Sequence, residues 1–319
     1  LYITTTVLYF IIMELMNTRM FEWRDNKCSG ISKYMDVVVL NKNCILFHKK
    51  LEDAKTIFIN TREKEEMICK FMNEVLPNLS HPVNVIIGGE DYTFPNNTDF
   101  RMNSCLSLDK VKEFKELGNH PYINKIFVEN LDESIQNAFP IPLGINRKEC
   151  PVFMEYFLKF ENINSEKPLK VTNFNRTRDC QGQWKERGDV LKLCKNEWNN
   201  FCIVSGEKSH EEYLKEMSKY SFTLCVHGGG LDVNPKLWEA LLVGVIPIIR
   251  ENKPYTNIYL ELDFPVVILK KWEDSIFTEQ ELIKWHRKYY WYFTNETKRK
   301  QMLESLTLEY WVNYVNKIS

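Results

Sequence analysis

At 319 residues, with 44% hydrophobic and 27% charged side chains, the chain has the make-up of a globular protein and the length for two domains. Its formal net charge of -1 excludes a general nucleic-acid binder, which needs a strongly basic face. The 9 cysteines are odd in number and form no CxxC pair. That excludes a disulfide scaffold and points to reduced thiols in a cytoplasmic setting.

Residues 1–30 form an indistinct lead-in. The stretch 1–13 is apolar but shorter than the ~20 residues of a spanning helix, and no basic residue precedes it as a secretory signal requires. Two readings stand: the tail of a truncated membrane anchor, or a lead-in before Met13, Met16 or Met20. Strands are predicted at 36–40 (DVVVL), 44–48 (CILFH) and 56–60 (TIFIN), then a charged helix over 63–75. The apolar run 83–87 (VNVII) ends in Gly88-Gly89-Glu90-Asp91. A helix over 108–117 and a strand over 125–129 (KIFVE) follow, and 139–145 (FPIPLGI) leads out of this half.

A helix is predicted over 151–160, and the polar segment 161–169 marks the boundary, giving domains of 31–165 and 166–319. The second half repeats the pattern. It has a strand at 169–173, helix 183–193, strand 202–206, and helix 209–219 with Ser209 as cap and Glu212 at the capping-box position. Next comes SFTLCVHGGGLDVNPKLWEALLVGVIPII, 221–249. It reads as a strand, a glycine turn, a helix from about Pro235 to Leu242 closed by Gly244, and a second strand. A helix at 255–260, a strand at 265–269 and two aromatic-rich helices from 278 complete the chain. Strands alternating with helices predict an α/β architecture of two doubly wound, Rossmann-like domains facing a cleft.

In open α/β sheets ligands collect beyond the carboxyl ends of strands, which singles out four loops. In the first, Gly228, Gly229 and Gly230 admit close backbone approach, with positive φ at little cost. Asp232 or Asn234 is placed to cap the helix, whose N-terminus attracts phosphate. His227 borders this turn as a donor, Lys236 adds a charge, and Glu239 offers two oxygens to the vicinal hydroxyls of a ribose. The second loop, NFNRTRD at 173–179, presents Arg176 and Arg178, whose guanidinium forks match phosphate oxygens, with Lys185 and Arg187 near enough to assist. In the third, GGEDYTFP at 88–95, Asp91 and then Glu90 are candidate general bases for an acceptor hydroxyl. The fourth, PLGINR at 142–147, is a rigid exit loop. Solvated loops and ordinary turn chemistry are the bland alternatives throughout. No HExxH or DxD motif occurs, so no metal site is expected.

Across 211–274 the chain resembles the exostosin-type glycosyltransferases, including the short versions of bacteria and large DNA viruses. That family joins a tyrosine-rich helix, a strand ending in a small glycine turn, a WEAL-like helix, a G-x-IP strand, and an apolar strand followed by W-E/D. All five occur here in order, and IIGGEDYTFP and FPIPLGI give a weaker echo in the first half. The resemblance implies a GT-B fold and an inverting glycosyltransferase that needs no metal cofactor. Its donor is a nucleotide-sugar, UDP-linked by preference, and its acceptor a glycan or glycoprotein hydroxyl. Carried over, Glu239 holds the ribose, while the His227–Gly230 turn faces the diphosphate with Arg176 and Arg178. The chain departs from its relatives before the WEAL helix, where Asn234-Pro235-Lys236 stands in place of their arginine. PKLWEALLVGVIPII is also similar to the donor motif of α1,3-fucosyltransferases, which leaves a GDP-fucose enzyme as an alternative, beside a non-catalytic sugar-nucleotide or glycan-binding module. A NAD-dependent oxidoreductase lacks its GxGxxG fingerprint here.

Overall fold

The computed structural model describes residue 16 and residues 28–98, 106–145, 166–177, 185–233, 235–273 and 277–317. The helix expected at 151–160, the apolar stretch 1–13, Arg178 and Asn234 lie outside the described residues. The protein is α/β, built on two sheets of mostly parallel strands in two compact units. The N-terminal unit comprises 28–145, 229–232 and 308–317, and the C-terminal unit 166–228 and 233–307.

The N-terminal sheet contains β1 (Val37–Asn41), β2 (Cys44–Phe47), β3 (Thr56–Asn60), β4 (Val83–Gly88), β5 (Ile123–Val128) and β6 (Ala138–Pro140), in the order β2-β1-β3-β4-β5-β6. Only β1 and β2, joined by a tight turn, run antiparallel. Val37 to Leu40 and Ile57 to Ile59 are fully buried, so both faces of these strands are covered, which explains their unbroken apolar runs. On one face α1 (Glu65–Lys70), continued as a π-helical turn over Phe71–Val75, and α2 (Leu108–Glu116) pack Met67, Phe71 and Phe114 against Val85, Ile87 and Ile126. The opposite face receives the last helix of the chain, α10 (Leu308–Lys317). Tyr314 lies edge-on to Phe127 at 5.9 Å, and Asn84 Nδ2 donates to the Val315 carbonyl at 2.8 Å.

The C-terminal sheet contains β7 (Val171–Asn173), β8 (Cys202–Val204), β9 (Phe222–Leu224), β10 (Ile246–Arg250) and β11 (Val267–Leu269), all parallel, in the order β11-β10-β9-β7-β8. The chain therefore moves outward from β7 to β8, returns past it to β9, and continues the other way. That reversal between β7 and β9 is a topological switch point, where neighbouring loops diverge and leave a crevice.

Helices α3 (Lys185–Lys195), α4 (His210–Met217), α5 (Lys236–Leu242) and α6 (Tyr255–Glu261) connect these strands. The Ser209 capping box forms as expected: its hydroxyl accepts from Glu212 N, and Glu212 Oε2 accepts from Ser209 N. Helix α5 is buried on every side from Leu237 to Leu242, and each such leucine contributes about 1.5–3 kcal/mol. Gly244 ends it at φ +73, with Val245 N donating to the Ala240 carbonyl at 2.9 Å, a Schellman closure. After Thr278 the chain forms four helices rather than the two expected. They are α7 (Glu279–Lys288), α8 (Trp291–Thr294), α9 (Glu296–Glu304) and α10, interrupted where Asn295 caps α9 and where Ser305 to Thr307 turn.

Candidate functional site

At the carboxyl end of the C-terminal sheet, the loops after β7 and β9 lie side by side because their strands pair. Asn175 ties them together, donating from Nδ2 to Asn173 Oδ1 at 2.7 Å and to the Leu224 carbonyl at 3.0 Å. Its Oδ1 accepts from Lys236 Nζ at 2.8 Å. Arg187, from the first turn of α3, donates through Nε to the His227 carbonyl at 3.0 Å and through Nη1 to the Arg176 carbonyl at 3.3 Å. Arg176, Arg187 and Lys236 thus gather at the switch point. Burial pushes the Lys236 amine down to about 7, and Arg187 and Arg176 push the same way, while Cys225 and Glu239 only partly offset them. A cluster of cations with this electrostatic character attracts an anion.

Glu239 and His227, also named for this site from the sequence, have partners the sequence did not indicate. Glu239 is buried, and its Oε1 lies 2.7 Å from His210 Nε2. One of the two oxygens expected to take a ribose is therefore already engaged. The His210 ring stacks on Tyr213 at 6.0 Å, and the Tyr213 hydroxyl is buried. Burial, then the Glu239 charge, raises that phenol far above its ordinary value.

His227 is 5% exposed, with Asn252 Nδ2 3.3 Å from Nε2. Its Nδ1 faces Glu186 Oε2 at 3.8 Å, an ion-pair distance. Glu186 also receives the Arg250 fork, at 2.7 and 3.3 Å, and Trp272 Nε1. Burial alone would raise its carboxyl, but His227 and Arg250 hold it at about 2.

The glycine run works differently from expectation. Positive φ occurs at Gly30, Gly89, Gly144 and Gly244, not at Gly228, Gly229 or Gly230. A Cβ on Gly228 would meet Arg187 Nη2 at 2.5 Å, and one on Gly230 would meet Asn130 Oδ1 at 2.3 Å. The glycines make room for the protein's own side chains. Gly228 belongs to the C-terminal unit, whereas Gly229, Gly230 and Asp232 belong to the N-terminal one. Asp232 does not cap α5: its Oδ2 accepts from the Leu143 amide at 2.7 Å.

In the N-terminal unit, Glu90 and Asp91 follow β4 as expected, and both are partly buried. Glu90 pairs with Arg62, and its carbonyl accepts from Asn130 Nδ2 at 3.0 Å. Glu129, passed over as the end of a strand, is fully buried just beyond β5 and takes the Gly89 amide at 2.5 Å. Asn130 Oδ1 accepts from Leu231 N at 2.7 Å. The described strands of this sheet run from β1 to β6 without reversal apart from the β2 hairpin, so no switch point positions these carboxylates.

The spacing of His210 and Tyr213 puts both on one face of a helix and was a readable signal. The Asn175 and Glu186 roles had none, because both depend on which strand ends become neighbours. Among the described residues no three His, Cys, Asp or Glu side chains are grouped to hold a metal ion, and no helix is long and apolar enough to cross a membrane. The chain matches no protein-family model, and no curated protein matches it.

Proposed function

We propose that the protein is a glycosyltransferase that moves a sugar from a nucleotide-sugar, UDP-linked by preference, to a glycan or glycoprotein hydroxyl with inversion at the anomeric carbon. The observation that carries this reading is the group of Arg176, Arg187 and Lys236 at the switch point. There a leaving diphosphate gains charge as its bond to the sugar breaks, and fixed cations stabilise it. Glu239, steadied by His210, is the carboxylate for a ribose hydroxyl, and the His227 carbonyl holds the Arg187 guanidinium beside the other cations. In this reading the two units are the Rossmann-like halves of a GT-B enzyme. The C-terminal unit holds the donor, and Asp91 or Glu90 of the N-terminal unit takes the proton of the attacking hydroxyl.

Thermal unfolding of the full chain with UDP, GDP and NAD tests the proposal. A ligand of the folded state at 100 times its Kd stabilises by about 2.7 kcal/mol. UDP is expected to raise the midpoint and NAD to leave it unchanged. A larger rise with GDP favours the fucosyltransferase alternative, and no rise with either nucleotide overturns the reading. If UDP binds, slow hydrolysis of UDP-sugars that disappears in Asp91→Asn or Glu90→Gln separates a transferase from a silent binding module.

A further inference from the structure

The lysine at the switch point is held by an amide that cannot turn over. Both N–H bonds of the Asn175 side chain are used, on Asn173 Oδ1 and on the Leu224 carbonyl, so its Oδ1 must face Lys236. Asn173 is fixed in turn, donating from Nδ2 to Cys194 Sγ at 3.2 Å. An ammonium carries three N–H bonds. Asn175 takes one, and among the described residues the only other contact of Lys236 Nζ is the Tyr213 ring, 5.6 Å to its centroid, so two remain for a ligand.

Among the described residues, the groups facing this amine from every packed element are few. They are Arg187 on α3, Arg176 in the loop after β7, Cys225 beyond β9, Glu239 on α5 itself, and Tyr213 with His210 on α4. Glu239 is the carboxylate among them, and its Oε1 is bound to His210. Without a bonded carboxylate of its own, the lysine lacks the countercharge that would keep it protonated.

We propose that Asn175 is a positioning residue that aims Lys236 at the phosphoryl oxygens of a diphosphate, and that Lys236 takes up a proton from solvent as this anion binds. The inference rests on the nucleotide-sugar reading for the identity of the anion. A phosphoryl oxygen beside the amine supplies the countercharge and favours the charged form. Because the free amine titrates near neutrality, affinity is greatest below about pH 7. It falls by up to about tenfold per unit above that, until the value of the bound state is reached.

Isothermal titration calorimetry of the full chain tests this, with inorganic pyrophosphate as the probe at pH 8 in buffers of different ionisation enthalpy. The wild type is expected to take up close to one more proton per pyrophosphate than Lys236→Gln, a difference that cancels the ionisation of the probe itself. Asn175→Ala is expected to weaken binding about tenfold in the wild type and hardly at all in the Lys236→Gln background, since the amide acts only through the lysine. Asn175→Ser replaces the alanine variant if the latter fails to fold, as judged by its unfolding midpoint. Equal losses in both backgrounds, equal proton uptake with and without Lys236, or no pyrophosphate binding each overturn the inference. Lysine-linked uptake without stabilisation by UDP or GDP would sink the transferase reading alone, and UDP binding without the lysine-linked proton would sink this one alone.

Discussion

Burying an amine among guanidinium groups opposes folding, because desolvation and like charge both disfavour the charged form. Lys236 bears that cost, and its removal gives a stability test with a definite sign. In the unfolded chain the amine titrates near 10.5, and in the folded one near 7. Between those values the unfolded state binds more protons, so this residue's contribution to stability rises with pH across the window. Lys236→Met is therefore expected to melt about 2 °C or more above the wild type near pH 6–7. The gap should narrow as pH rises to 10, with pyrophosphate binding weaker than in the wild type; a variant less stable at every pH would refute this account. Glu186 has the opposite sign. Its carboxyl, ordinarily near 4.5, is held at about 2, so its contribution is complete above the unfolded value and is lost as pH falls from about 4.5 towards 2. Glu186→Gln is expected to melt below the wild type at pH 7 and to converge with it below about pH 3, read by circular dichroism over that range. His227, Lys236 and Glu239 were recognisable as candidates from their place in the motif. The Glu186 carboxylate beside His227 was not, since nothing in a helix-forming stretch announces which buried ring it will face.

The glycine turn separates two effects that look alike in the chain. At Gly228 an added methyl meets the far end of the long Arg187 side chain, which yields by giving up its bonds to the His227 and Arg176 carbonyls. Gly228→Ala is therefore expected to keep its stability within about 1 kcal/mol while displacing the guanidinium and weakening pyrophosphate binding about tenfold. At Gly230 the methyl meets the Asn130 amide, which is bonded at both ends, to Leu231 N and to the Glu90 carbonyl. Gly230→Ala is expected to lose about 1–3 kcal/mol in urea unfolding. A loss at Gly228 as large as that at Gly230 would contradict the distinction. The Ser209 capping box and the Gly244 closure were legible in the sequence because each is completed within a few residues of itself. The glycine run was legible only as a turn. Its reason lies in Arg187 and Asn130, which are far away in the chain.

At the scale of the whole molecule, strand order concentrates the candidate donor chemistry in one sheet. The reversal at β7 and β9 makes 174–177 and 225–228 the loops where a ligand is expected to lodge, and the described strands of the other sheet have no such reversal apart from the β2 hairpin. Bound UDP is accordingly expected to slow amide hydrogen exchange in those two loops and to leave β8 and β11, distant in the same sheet, unchanged. Protection confined to the N-terminal sheet would place the nucleotide elsewhere. The sequence by itself determined the alternation of strands and helices, the buried strands, the caps, and the glycine turn with its neighbouring charges. These follow from side-chain periodicity and backbone preference over a few residues. Only the tertiary structure decided that β7 and β9 are neighbours, that Asn175 bridges their ends, and that Lys236 stands beside Arg187 while Asp232 is taken by the Leu143 amide. Pairing between strands distant in sequence is settled by how two sheet faces bury their apolar side chains, and no local pattern carries that information.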